Sequence, residues 1–95
     1  MTEPVLRPFS EHDQDRVIAL IDRVYHEYGD RLCLHGADQD LTDIPGTYLQ
    51  PGGSFIVLAG ETILGSHAML PLDVENGICT FRRLYLDSSL RGTGW

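Results

Sequence analysis

The sequence contains no lysine. Its seven basic residues are all arginines, set against 14 acidic ones, for a formal net charge of −7 at pH 7. Without lysine there is no phosphate-loop lysine and no Schiff-base nucleophile. The negative balance argues against a nucleic-acid footprint. It favours solubility, and it would suit a cationic partner such as an amine. Cysteine is scarce too. Cys33 and Cys79 lie far apart and form no C-x-x-C pair, so no redox or zinc signature exists. They are expected to be buried thiols in a reducing cytoplasm. No apolar run approaches the roughly 20 residues that span a membrane. Met1-Thr2-Glu3-Pro4 has neither the basic nor the apolar stretch of a signal peptide. Internal repeats and low-complexity tracts are also missing.

What remains reads as one small domain over residues 1–95. Hydrophobic content of 42% is enough for a packed core and argues against disorder of the bulk. Val5-Leu6-Arg7 reads as a first strand, with Pro8 fixing the exit. Val17, Leu20, Ile21, Val24 and Tyr28 recur at helical spacing and predict a helix with one apolar face. Ser10 or Asp13 would cap its start, and Gly29 would stop it. Across 30–53 the pattern is weaker. Leu41, Ile44, Tyr48 and Leu49 predict a short second helix that Pro45 and Gly46 limit to a turn or two. Gln50-Pro51-Gly52-Gly53 reads as a loop.

Three strands follow. Phe55 to Ala59 is a continuous apolar run, as in a strand covered on both faces. Gly60-Glu61 predicts a II′ hairpin turn, and Thr62 to about Val74 returns as the next strand. Asn76-Gly77 predicts another hairpin, and Ile78 to Leu86 is the third strand of the meander. This last strand breaks phase. Cys79 and Phe81 are apolar at odd positions, Leu84 and Leu86 at even ones, with Arg82 and Arg83 at the switch. A β-bulge near Arg82–Leu84 would bring both sets onto one face; burial on both faces would need no bulge. The fold class is α/β or α+β, with helices on a mainly antiparallel sheet and the order β-α-α-β-β-β.

The strand ends in Leu84-Tyr85-Leu86-Asp87, and after Ser88-Ser89-Leu90 the chain reads Arg91-Gly92-Thr93-Gly94-Trp95. Glycines let backbone N–H groups approach an anion closely, and such a turn forms an anion-binding nest. The run of strand, acidic residue and Arg-x-x-Gly turn resembles the acetyl-CoA motif of the GNAT acetyltransferase superfamily. Arg91 matches the first motif position and Gly94 the fourth. Leu6-Arg7-Pro8 before a helix, and the two hairpins, resemble the same family. The resemblance runs over nearly the whole chain and implies a partial GNAT domain that ends inside the motif, before the pyrophosphate-binding helix.

The resemblance implies an acyltransferase that moves acetyl from acetyl-CoA, its co-substrate, to a small-molecule or peptide amine. The backbone of Leu84, Tyr85 and Leu86 would pair with the pantetheine arm. A backbone N–H at Leu86 would polarise the thioester carbonyl. Arg91, Gly92, Thr93, Gly94 and Trp95 would cradle the pyrophosphate. The 95 residues alone are expected to be inactive, and no catalytic residue carries over. Tyr25, His26, Glu27 and Tyr28 read as surface or packing residues, and Tyr85 as core. His67 reads as a structural histidine. Arg82 and Arg83 would meet substrate or phosphate, or lie on a solvated face. Cys33 and His35 fall short of the four ligands a structural zinc needs, so no metal is expected. The rival reading is a non-catalytic half-domain that self-associates into a homodimer through an unpaired sheet edge.

Overall fold

The computed structural model describes residues 3–73 and 75–91. Four strands, β1 (Val5–Pro8), β2 (Ser54–Ala59), β3 (Ile63–Asp73) and β4 (Ile78–Leu86), form one antiparallel sheet in the order β1-β2-β3-β4. One helix, α1 (Gln14–Glu27), packs on one face of it. The order predicted from sequence is present. The second helix is reduced to a 3-10 turn at Gln39–Thr42 and a π-helical turn at Pro45–Leu49. Pro45 sits at the start of the latter, where its missing N–H is not needed.

The apolar periodicity of α1 becomes its buried face. Val17, Leu20 and Ile21 are wholly buried and Val24 nearly so. Leu41, Ile44 and Tyr48 from the two turns close over them, as their spacing predicts, whereas Leu49, expected on the same side, is 39% exposed. From the sheet come Phe55, Val57, Ile63 and Ala68. Phe55 takes Phe9 and Tyr48 edge-on, with ring centroids 5.5 and 5.4 Å apart. Such pairs add about 0.5–1.5 kcal/mol beyond area burial.

Tyr28 departs from its predicted place. It lies one residue past α1 and is 74% exposed, because the helix has already been terminated. Asp30 N–H donates to the Tyr25 carbonyl (2.8 Å) and Gly29 N–H to that of His26 (3.1 Å). This crossed pair demands a left-handed residue, and Gly29 supplies it at φ 74°. At the other end both residues expected to cap the start take part: Ser10 is the N-cap of the 3-10 turn Glu11–Asp13 that leads into α1, and Asp13 is the N-cap of α1 itself. The Asp13 carboxylate accepts from Ser10 N–H at 2.8 Å and from both Arg7 Nη atoms, at 2.6 and 2.8 Å. It joins β1 to the helix start and is 1% exposed.

Both hairpins form, with wider loops than predicted. Ala59 pairs with Ile63, so the first turn holds three residues and a register shift at Leu58/Ala59. Gly60 has no positive φ, and the turn is therefore not type II′. Asp73 pairs with Ile78 across the second loop. There Gly77 takes positive φ, 68°, and Asp73 Oδ2 accepts from Asn76 Nδ2 at 2.7 Å. Val74 lies outside the described residues. The β2 run is covered on both faces only in part: Leu58 is buried, but Ile56 is 37% exposed. The cysteines are corrected outright, since Cys33 and Cys79 are free and exposed.

Candidate functional site

The phase break in β4 is a bulge. Ala68 pairs with Arg82 and Ser66 with Tyr85, so Arg83 and Leu84 together oppose His67. Arg83 takes φ 53°, the left-handed region, which few side-chain-bearing residues adopt. The extra residue puts Phe81, Leu84 and Leu86 on the sheet face that carries no helix. Phe81 stacks there on His67 (5.1 Å between centroids), while Leu84 and Leu86 line a depression of about 440 Å³ with Leu6, Ile56 and Leu58. The alternative, a strand buried on both faces, fails because Phe81 is 65% and Leu84 74% exposed.

Arg83 and Tyr85 point the other way, under α1. The Arg83 guanidinium enters a cluster drawn from three elements. Its Nη1 donates to Asp38 Oδ1 (3.0 Å) and Tyr25 Oη (2.9 Å), its Nε to Asp40 Oδ2 (2.9 Å), and its Nη2 to Asp40 Oδ1. Tyr25 donates to Asp38 (2.8 Å) and Tyr48 to Asp40. Tyr85 Oη reaches Tyr25 Oη at 3.3 Å, and their rings meet edge-on at 5.9 Å. One guanidinium thus makes four hydrogen bonds to three partners, Asp38, Asp40 and Tyr25, a geometry that arginine's fork provides.

The electrostatics follow. Burial alone would raise the Asp38 carboxyl, but hydrogen bonds from Cys33 N–H, Tyr25 and Arg83 outweigh it and hold it below its ordinary range. Asp40 is lowered likewise, with burial opposed by Arg83 and Tyr48. Burial drives both phenols up, Tyr25 further through Tyr85 and Asp38, and Tyr48 through Asp40. Near neutrality the carboxylates are ionised and engaged, and the phenols stay protonated. The cluster therefore holds β4 in place and offers no free base.

On its other edge β4 has no partner strand among the described residues. Asp87 N–H donates to the Leu64 carbonyl at 2.8 Å, which directs residue 87 toward β3. Strand alternation then turns the N–H and C=O of Leu86, and of Leu84, to the open edge. Arg91 confirms the direction, because its Nε donates to the Leu86 carbonyl at 3.0 Å. Arg91 also ion-pairs with Glu27 and lies over the Tyr28 ring at 5.9 Å. A cleft of about 470 Å³ opens here between the end of α1 and the end of β4, with Tyr25, Tyr28, Leu84, Leu86 and Arg91 on its walls. Asp87 accepts from Ser89 N–H and Oγ (3.1 and 2.7 Å) and turns the chain after the strand.

Of the site residues expected from sequence, Leu84, Tyr85, Leu86 and Arg91 are thus gathered at one end of the sheet. Gly92, Thr93, Gly94 and Trp95 lie outside the described residues. His26 is exposed, its Nδ1 on the Asp22 carbonyl (2.8 Å). His35 lines a separate shallow pocket beside Leu32 and Leu34. Two links escaped the sequence reading: Glu27 and Tyr28 against Arg91, and the Asp38–Asp40 pair around Arg83. The arginine doublet at the phase break was the one signal for the second.

No family profile and no curated protein matches the chain. Solved structures do. A GNAT-family acetyltransferase from Staphylococcus aureus Mu50 superposes with TM-score 0.80 at 22% identity, over 94% of this chain and 56% of its own. An acetyltransferase from Streptococcus agalactiae gives 0.82 at 14% identity, over 99% and 58%. One from Trypanosoma brucei gives 0.66 at 20% identity, over 97% and 66%. The chain spans 56 to 66% of the length of these neighbours. The helix and the antiparallel meander are what these neighbours share with the chain: it has the fold of part of a GNAT acetyltransferase.

Proposed function

We infer that the protein takes part in acetyl transfer from acetyl-CoA to an amine, with the open edge of β4 as the cofactor-binding strand. The observation that carries this reading is the edge itself. The bulge at Arg83, the outward N–H and C=O groups of Leu84 and Leu86, and the cationic Arg91 beyond them form a strip. It would take an extended amide-bearing arm as an added strand, with anionic groups at its far end. Tyr85, directed under α1, supports the strip from behind. Arg91 is the first residue of the anion-binding turn, and Gly92 to Trp95 would supply the N–H groups of the nest. The residues present fit acetyl-CoA in kind: amide partners for pantetheine and a guanidinium for phosphate. The acceptor is an amine, which an acidic surface would draw in. Two free, exposed thiols support a reducing cytoplasm as its compartment.

Acetyl-CoA at millimolar concentration, titrated into ¹⁵N-labelled protein, tests the reading. Shifts concentrated at the Leu84, Leu86 and Arg91 amides are the expected result. A uniform, small response spread over the sheet would reject it. A second reading has its own observation. Phe81 and Leu84 are exposed on one face next to the open edge, a surface through which two copies would pair into a non-catalytic dimer. Sedimentation that shows a dimer with no acetyl-CoA response would favour it.

A further inference from the structure

Arg83 is the one non-glycine residue with positive φ among the described residues. A left-handed conformation is unfavourable for an L residue, so something must hold it. Two groups hold the backbone and the side chain. Ser66 Oγ donates to the Arg83 carbonyl at 2.8 Å and pins the bulged peptide to β3. The guanidinium, with its side chain only 11% exposed, bridges Asp38 and Asp40. Those carboxylates are themselves anchored from behind, Asp38 by Cys33 N–H (2.9 Å) and Asp40 by Tyr48. The segment between α1 and the π-helical turn is thereby tied to the one irregular point of β4.

The consequence reaches the edge. Were β4 to lose the bulge, Leu84 and Leu86 would exchange faces with Tyr85. Their N–H groups would then turn toward β3. We propose that Arg83 is a positioning residue: its buried pairing with Asp38 and Asp40 holds the β4 bulge and so keeps the Leu84–Leu86 backbone aimed at the open edge. That this sets acetyl-CoA affinity rests on the function proposed above; that it sets the strand register does not.

Two triple variants of the full chain test it. Arg83→Gln with Asp38→Asn and Asp40→Asn removes the ion pairs without stranding a buried charge, yet leaves a strained residue at the bulge. Arg83→Gly with the same two asparagines removes the strain as well. Cross-strand NOEs report the register, with the Val57–Ser66 contact as the control for an intact sheet. In the glutamine variant the Ser66–Tyr85 and Ala68–Arg82 contacts are expected to be lost or mixed. Its acetyl-CoA affinity should fall about tenfold, the scale of one left-handed residue. In the glycine variant both register and affinity should return. A glutamine variant with the native register overturns the proposal, as does a glycine variant that fails to recover it. If the unmodified protein shows no edge response to acetyl-CoA, the functional reading falls, and the NOEs alone still decide the role of Arg83.

Discussion

At the scale of single residues, arginine is the natural partner for a buried pair of carboxylates, because it stays charged and donates in a fixed fork. Removing it leaves Asp38 and Asp40 buried and unpaired. Arg83→Met should cost about 3–5 kcal/mol in urea unfolding. Arg83→Gly should cost about 1 kcal/mol less than that, since glycine takes the left-handed region freely. The acid response follows from the same groups. Asp13, Asp38 and Asp40 all have lowered pKa values, Asp13 chiefly through its hydrogen bonds from Arg7. A carboxyl lowered by folding stabilises fully above its unfolded value, about 4, and that contribution is lost as pH falls through the folded value. The urea midpoint should hold between neutrality and about pH 5, then drop steeply in acid. Asp40→Asn should flatten that drop. Little of this was legible in the chain. Asp13 was readable as a cap because capping is local. The Arg83 cluster was not, because it joins residues more than forty positions apart.

Elements show the opposite balance. α1, the strands and the phase break of β4 were legible, because each is a statement about periodicity or about its failure; that the break is a bulge was one of two readings the sequence left open. The hairpin turns were read with the right residues and the wrong geometry, because loop length depends on strand register, which the local sequence does not display. Glycines separate the two cases. Gly29 is needed for its φ of 74°, and a Cβ there meets nothing within 4 Å. Gly29→Ala should cost about 1 kcal/mol, the left-handed penalty alone. Gly53 has no such dihedral, but its Cβ would lie 2.1 Å from the Met69 carbonyl oxygen and 2.7 Å from that of Tyr48. Gly53→Ala should cost more, about 2–3 kcal/mol, because backbone must move on two sides. Thermal unfolding of the two variants side by side checks the order.

For the whole molecule, the deciding feature is a sheet with one covered face. The radius of gyration is 13.6 Å, against roughly 12 Å for a compact chain of this length. The helix and the turns lie on one side, and Leu6, Phe81 and Leu84 remain exposed on the other. Such a surface favours association. Leu6→Thr with Phe81→Thr should reduce concentration-dependent association in sedimentation velocity and change stability by only about 0.5 kcal/mol. An association constant unchanged by the pair would exclude this face as the contact.

The chain by itself determined the order of elements, the apolar stripe of α1, the stop at Gly29 and the break in β4. All of these depend on contacts between near neighbours or on a period that a few residues display. Tertiary structure decided which face each half of β4 presents, what Arg83 meets there, and that Glu27 and Arg91 close on one another. Those outcomes depend on distant segments arriving at the same place, where a buried charge must find its partner or prevent the fold. The same division governs function: the strand that resembles a cofactor edge was readable in sequence, but the contacts proposed to hold its outward aim, Arg83 with Asp38 and Asp40, come from a segment far away in the chain.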